Sequence, residues 1–121
     1  MTQEDKDLLL KDLCARLPYF TNVQIKNEIV VFDSICDDDG YHFNFIGDDR
    51  EGVNIENIKP YLFPMSSMTE EQNLEYLSTC RGGNAYHPTY KSFDWLDKNL
   101  FDYRGLIEKG LAIDATGLNI Y

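Results

Sequence analysis

The sequence predicts one α+β domain spanning residues 1–121, with a small antiparallel meander of three to four strands, an N-terminal helix and two or three C-terminal helices. An apolar stripe with helical spacing opens the chain, and short alternating segments separated by turn residues follow it. Segments in the second half begin with capping residues and continue at helical spacing. With 121 residues and 43% hydrophobic content, the chain is long enough to bury a core as a single domain.

Residues 3–17 are expected to form an amphipathic helix. Thr2 and Asp5 resemble a capping box, with aspartate in the place of the usual glutamate. Four apolar residues then recur at the spacing i, i+3, i+4 and i+7 and form one face: Leu10, Leu13, Cys14 and Leu17. Pro18 is expected to end the helix, because the residue before a proline disfavours helical backbone angles.

Three segments rich in β-branched and aromatic residues predict consecutive strands: NVQIK (22–26), EIVVFDSIC (28–36) and YHFNFI (41–46). The short connections KNE and DDDG favour tight turns, and Gly40 suits the left-handed position of a bulged hairpin. A three-stranded antiparallel meander is therefore the simplest arrangement. The start of GVNIENI (52–58) is a candidate fourth strand.

Three segments of the second half are predicted to lack regular structure. KPYLFPM (59–65) is apolar and bracketed by Pro60 and Pro64, so we expect an irregular, ordered connection packed on the core. Paired glycines mark RGGNAYHPTY (81–90) as a loop. LAIDATGLNIY (111–121) is a tail with enough apolar residues to dock on the domain.

The remaining segments of the second half predict helices. One begins at Ser67 or Thr69, which are both good N-caps, and its inward face is expected to contain Leu74, Leu77 and Cys80. Ser92 opens the next helix, over FDWLDKNLF. Asp102 is placed to cap a short last helix, YRGLIEK, which Gly110 ends.

The charge pattern disfavours several classes of function. The chain carries 21 carboxylates and 11 cations, a formal net charge of −10. Nucleic acids and anionic membranes are bound mainly through lysine and arginine, so direct binding to either is not expected. The acidic N-terminus does not resemble a secretion signal, and no segment has the roughly 20 apolar residues of a membrane span. Cys14, Cys36 and Cys80 lack short spacings and are typical of reduced thiols, so we expect a cytoplasmic protein.

One acidic segment, residues 32–52, holds seven carboxylates and a single cation, Arg50. Its two turns contain the candidate partner-binding residues: Asp37, Asp38, Asp39, Asp48, Asp49 and Glu51. A strand between the turns would separate them by about 20 Å, too far for their carboxylates to share one ion. Neither turn has the spacing of an EF-hand, so we predict no metal and no cofactor. The alternative interpretation is that aspartate and glycine serve turn geometry alone.

Enzymatic chemistry has little support in the sequence. The common nucleotide-binding, hydrolase and metalloprotease motifs are absent. A catalytic thiol at Cys80 would require a nearby base, and the chain has two histidines, His42 and His87. Cys36 lies beside Asp37, whose negative charge disfavours a thiolate. We therefore predict a non-enzymatic protein.

Three stretches resemble a group of small uncharacterised proteins from gut Bacteroidales genomes and their phages and mobile elements: LLLKDLCARLPY (8–19), KPYLFPMSSMTEEQ (59–72) and SFDWLDKNLFDYRGLIEKGLAID (92–114). The resemblance covers the N-terminal helix and residues 59–113, and its most specific part is DYRGLIEKGLA (102–112). It implies an accessory role in a phage or mobile element. It transfers no activity and no residue role.

These observations favour a cytoplasmic interaction protein whose acidic turns meet a basic surface on a protein partner. Inhibition of a nucleic-acid-handling or defence protein by charge mimicry is one concrete form of this hypothesis. The alternative is a small-ligand binder with an aromatic-lined pocket near Tyr86, Tyr90 and Trp95.

Overall fold

The computed structural model of the chain describes residues 1–37, 39–82 and 86–121, and it has the predicted α+β class. The helices in these ranges are α1 (Gln3–Ala15), α2 (Glu70–Thr79) and α3 (Tyr90–Lys98). The strands are β1 (Asn22–Ile25), β2 (Glu28–Asp37), β3 (Tyr41–Phe45), β4 (Ile58–Pro64), β5 (Phe101–Asp102) and β6 (Ile113–Asp114).

The sheet is mixed, which corrects the prediction of a purely antiparallel meander with three or four strands. Its strands lie in the order β3-β2-β1-β4-β5, and β6 also pairs with β4. The predicted antiparallel meander of β1, β2 and β3 is present, and β4 lies antiparallel to β1. The short strands β5 and β6 lie parallel to β4. The candidate fourth strand at the start of GVNIENI was wrong, because residues 52–54 form no regular element and a 3₁₀ helix, Ile55–Asn57, follows them directly before β4.

β4 is the largest departure from the sequence prediction, which treated residues 59–65 as irregular. It is the strand with which β1, β5 and β6 all pair. Pro60 and Pro64 remove two backbone donors, but Pro64 is the last residue of the strand. Ile58 and Leu62 are both 0% exposed. Burial of these side chains therefore outweighs the local preference against a strand.

α1 confirms the predicted helix but turns a different face toward the core. The capping box is present, since Thr2 Oγ1 accepts a hydrogen bond from the Asp5 N–H at 3.1 Å. The buried stripe along the helix and its C-cap consists of Leu9, Asp12, Leu13 and Arg16. Cys14, predicted on the apolar face, is exposed, whereas Leu10 and Leu17 are partly buried. Asp12 and Arg16 are thus buried at positions that the pattern of apolar residues had assigned to the exposed face of the helix.

The helices of the second half begin near their predicted caps. Thr69 is the N-cap of α2, and its hydroxyl accepts a hydrogen bond from the Gln72 N–H at 3.1 Å. Leu74 was wrongly predicted to face inward, because it is 69% exposed. α3 begins two residues before the predicted start at Ser92, because Thr89 is the N-cap and Ser92 closes the capping box from the third helical position.

Residues 103–109, predicted as a last helix, form turns instead. Gly105 and Gly110 adopt left-handed backbone angles, with φ of +75° and +74°, and leave too little chain between them for a stable helix. Asp102 still satisfies backbone donors, as a cap would. Its two carboxylate oxygens accept hydrogen bonds from the N–H groups of Leu106 and Ile107, each at 2.9 Å.

The core lies between α1 and the sheet, and the C-terminal tail docks beside it as predicted. The buried cluster consists of Leu9, Leu13, Val23, Ile25, Phe32, Phe43, Phe45, Ile58, Leu62, Leu100, Leu106, Leu111 and Ala112. The Tyr121 hydroxyl donates to the Tyr61 carbonyl at 2.7 Å and accepts from the Asn22 N–H at 3.0 Å. β3 lies at the end of the sheet farthest from β5.

Candidate functional site

The acidic segment forms the β2–β3 hairpin and the loop that follows it. β2 continues to Asp37, which pairs with Tyr41 at the start of β3. Asp37 and Asp39 are exposed, and neither takes part in an ion pair within the described ranges. The predicted Asp38 lies outside the described residues. Gly40, with φ of +107°, has the positive backbone angle expected of a turn glycine.

One carboxylate of the second acidic turn, Asp48, is paired with a cation of the same turn. Arg50 Nε donates to Asp48 Oδ1 at 2.9 Å, the Arg50 backbone N–H donates to the same oxygen at 2.9 Å, and Arg50 Nη2 pairs with Glu28. The side-chain and backbone hydrogen bonds from Arg50 lower the pKa of Asp48. Asp48 therefore stabilises the turn through its hydrogen bonds with Arg50, whereas Asp49 and Glu51 are exposed to solvent.

The candidate partner-binding residues divide into two groups in space. Asp37 and Asp39 precede β3, and the group from Asp48 to Glu51 follows it, so the turns lie beyond opposite ends of this five-residue strand, as predicted. Four steps along this five-residue strand separate its ends by about 13 Å, which is less than the roughly 20 Å expected from a six-residue strand. Over the residues that the structure describes, no group of three or more His, Cys, Asp or Glu side chains is placed to hold a metal ion.

A cleft runs along the outer edge of β3. Its volume is about 590 Å³, and its walls are β3 with Cys36 on one side and residues 50–54 on the other. β3 is the terminal strand in the sheet order, and beyond its pairing with β2 the described residues add one bridge, Phe45↔Asp48. A second cleft of about 370 Å³ lies between the same loop and the β1–β2 turn. The loop therefore stands away from the edge strand instead of pairing along it.

The Cys80 thiol contacts groups that are not bases. Cys80 Sγ accepts a hydrogen bond from Ser92 Oγ and donates one to the Tyr76 carbonyl, each at 3.5 Å. The backbone of His87 pairs with that of Arg81. A serine hydroxyl and a carbonyl satisfy the thiol but do not activate it as a nucleophile.

Two of the three aromatic residues named for the alternative ligand pocket are largely exposed. Tyr86 is 60% exposed and Tyr90 is 79% exposed. Trp95 stacks on Phe101, with ring centroids 5.6 Å apart and an angle of 10° between the planes.

A buried ion network, which the sequence pattern did not predict, joins α1 to the segment after α3. Asp12 and Arg16 are both 0% exposed and form a bidentate pair, from Nε to Oδ2 at 2.9 Å and from Nη2 to Oδ1 at 3.0 Å. Arg104 Nη1 donates to the same Oδ1 at 2.8 Å. Arg16 Nη2 also donates to the Phe101 carbonyl at 2.7 Å. The network therefore fixes the C-terminal end of α1 against β5.

Tyr103 extends this network to α3. Its ring lies against two guanidinium groups, with the Cζ atoms of Arg104 and Arg16 at 4.4 Å and 5.6 Å from the ring centroid. Its hydroxyl donates to Asp97 Oδ1 at 2.8 Å. Burial and this hydrogen bond raise the pKa of Tyr103 to about 12, and burial also raises the pKa of Asp97. Tyr103 and Arg104, which follow directly after β5, thus contribute to internal structure.

Comparisons with known proteins identify no family. A scan against protein-family models, a search of curated proteins and a search of solved structures each found no match. Across the described ranges, no helix is both long enough and apolar enough to cross a membrane.

Proposed function

We propose that the protein is a non-enzymatic interaction protein and that its acidic segment binds a basic surface on a protein partner. The distribution of charge supports this proposal. Residues 32–52 hold seven of the 21 carboxylates but one of the 11 cations, Arg50. That cation is already paired with Asp48 and Glu28. Four described carboxylates of the two turns are exposed and available to a partner's cations: Asp37, Asp39, Asp49 and Glu51.

The acidic turns extend from a rigid base. Phe32, Phe43 and Phe45 anchor β2 and β3 in the core and are 1%, 6% and 4% exposed. The Phe32 ring lies 6.3 Å from that of Phe43 and 6.1 Å from that of Phe45, between centroids. Turns carried on a rigid scaffold are common binding surfaces. Charges held in fixed positions also steer association with a partner of opposite charge.

Charge mimicry of nucleic acid is the concrete form of binding that we propose. Proteins that handle nucleic acids use lysine and arginine to neutralise phosphates. The two acidic groups lie beyond the opposite ends of β3, a strand about 13 Å long, and present negative charge to the same kind of surface. An accessory protein of a phage or mobile element would gain from blocking a host nucleic-acid-handling or defence protein in this way.

The test compares two variants that lose the same formal charge. In the first, Asp37, Asp38 and Asp39 are all changed to asparagine. In the matched control, glutamine replaces three exposed residues of α2 and the last turn: Glu71, Glu75 and Glu108. Each tagged protein is used to capture partners from a Bacteroidales lysate at low and moderate salt, after thermal unfolding has shown that both variants fold.

We expect the wild type and the control to retain one stoichiometric protein at low salt and to release it as salt rises, since screening weakens exposed charge pairs. The aspartate variant should capture much less of that protein at either salt. Equal capture by the two variants would show that the acidic segment is not the binding surface.

A further inference from the structure

We infer, on the basis of the proposed function, that the partner supplies an extended basic segment that adds to the sheet as a strand at the outer edge of β3. β3 is the terminal strand of the sheet, and in the described part of the chain its outer edge carries the single bridge Phe45↔Asp48. An edge strand presents backbone N–H and C=O groups that an extended peptide can pair with.

The cleft beside this edge gives an incoming strand a defined place. It is open on one side, has a volume of about 590 Å³, and has Tyr41 and Phe43 on the wall formed by β3. Its far wall, residues 50–54, is held at one end by Arg50, which pairs with Asp48 and Glu28. Further along the wall, Val53 packs against the core cluster. Both walls are therefore anchored before a partner arrives.

The charges at the two ends of the edge select the chemistry of the occupant. Asp37 and Asp39 are exposed before β3, and Asp49 and Glu51 are exposed after it. The ends lie about 13 Å apart, and an extended peptide rises about 3.3 Å per residue. A peptide with lysine or arginine at positions about four to six residues apart therefore reaches both groups while its backbone pairs with β3.

A second copy of this chain is a poor occupant of the same edge. Antiparallel pairing of β3 with β3 about a two-fold axis would bring the exposed carboxylates that precede β3 in one copy toward those that follow it, Asp49 and Glu51, in the other. Like charges opposite each other weaken strand pairing, and charged residues at an edge commonly prevent association between sheets. The acidic ends thus disfavour self-pairing and favour a basic strand.

The test uses a library of random decapeptides displayed on phage, selected on the wild-type protein at low salt and counter-selected on the variant Asp37→Asn/Asp39→Asn. Asparagine tolerates the left-handed conformation that Asp39 adopts, with φ of +55°, so this variant should keep the turn. We expect enriched peptides to carry two cations about four to six residues apart, with β-branched or aromatic residues between them.

The strongest peptide is then synthesised unmodified and in two forms that are N-methylated at alternate residues. In an extended strand, one alternate set of N–H groups faces β3 and the other faces away, so each modified peptide is the matched control of the other. We expect one form to lose at least about tenfold in affinity and the other to bind nearly as well, because N-methylation removes a backbone donor but keeps the charge. Hydrogen exchange at Tyr41 and Phe43 should slow on binding.

Three outcomes would overturn this inference. Equal binding of all three peptides would show that charge alone holds them, which leaves the proposed function standing. Enrichment of peptides without the paired cations would remove the basic strand as the occupant. Exchange protection on a helix instead of β3 would place the binding site elsewhere. The lysate capture described above tests the proposed function separately.

Discussion

Replacing Asp12 with asparagine tests the buried ion network with a change of nearly constant volume. The wild-type carboxylate receives hydrogen bonds from Arg16 Nε, Arg16 Nη2 and Arg104 Nη1, at 2.9, 3.0 and 2.8 Å. The amide retains one acceptor oxygen but, in either orientation, places an NH₂ group against the Arg16 guanidinium group. Arg16, which is 0% exposed, then loses the charge that compensates its own.

The structure suggests a large loss of stability. Removing one partner of a buried ion pair costs about 3–5 kcal/mol. Because asparagine keeps one acceptor, we expect a value near the lower end, about 3 kcal/mol, out of the roughly 5–15 kcal/mol of a typical domain. At about 4 °C per kcal/mol for a chain of this size, the melting temperature should fall by about 12 °C.

The free energy of unfolding is measured by urea titration, with the fluorescence of Trp95, the single tryptophan, as the signal. Trp95 stacks on Phe101, whose carbonyl accepts a hydrogen bond from Arg16, so it reports on the region that changes. The control is Asp7→Asn, on the exposed face of the same helix, which should change the stability little. A loss below about 1 kcal/mol for Asp12→Asn would refute the idea that this pair is shielded from water.

Three further predictions concern other parts of the molecule. Asp102→Ala leaves two backbone N–H groups of the last turn without their acceptor, and we expect urea unfolding to show a loss of about 2–3 kcal/mol. Burial raises the folded-state pKa of Asp97, so its protonated form favours folding; this contribution is present below about pH 4 and is lost as pH rises through the raised pKa. Urea unfolding at a series of acidic pH values should therefore show the wild type losing stability relative to Asp97→Asn as the pH rises. Parallel dependence of the two stabilities on pH would contradict this. A maleimide reagent should label the exposed Cys36 before the half-buried Cys80, and mass spectrometry of digests would detect the reverse order.

Elements with strong local signals were predictable from the sequence. The capping residues Thr2 and Thr69 both act as predicted, because a hydroxyl three residues before a suitable partner satisfies helix donors without help from the rest of the fold. The meander was also predictable, since alternation and short turns fix strand pairing locally. The two acidic turns were separated correctly for the same reason.

Elements that depend on distant partners were not predictable. The prolines of residues 59–65 argue against a strand, and nothing local shows that β1, β5 and β6 will pair with this segment. Residues 103–109 have helical spacing, but Asp102 and two left-handed glycines form a turn instead. In both cases, contacts between parts of the chain that are far apart in sequence overrode local preference.

The buried network left one signal in the sequence that periodicity of apolar residues misses. Asp12 and Arg16 are four residues apart and share a helical stripe with Leu9 and Leu13. Such a pair usually lies on the surface, where it contributes little. Only the approach of Arg104, remote in the chain, shows that this stripe faces inward. The cleft beside β3 was not predictable for the same reason. The position of its far wall depends on the ion pair between Arg50 and Glu28, which are far apart in the sequence.

The central position of β4 has a consequence for how the protein is made. The ribosome synthesises α1 and the meander before β4, but the parallel partners of β4 lie later in the chain, at residues 101–102 and 113–114. At about 5–20 residues per second, several seconds pass between the synthesis of β4 and that of β6. During that interval β4 has β1 as its partner but lacks β5 and β6. During synthesis, the edge of this apolar strand that later pairs with β5 and β6 is therefore open to pairing with a neighbouring polypeptide.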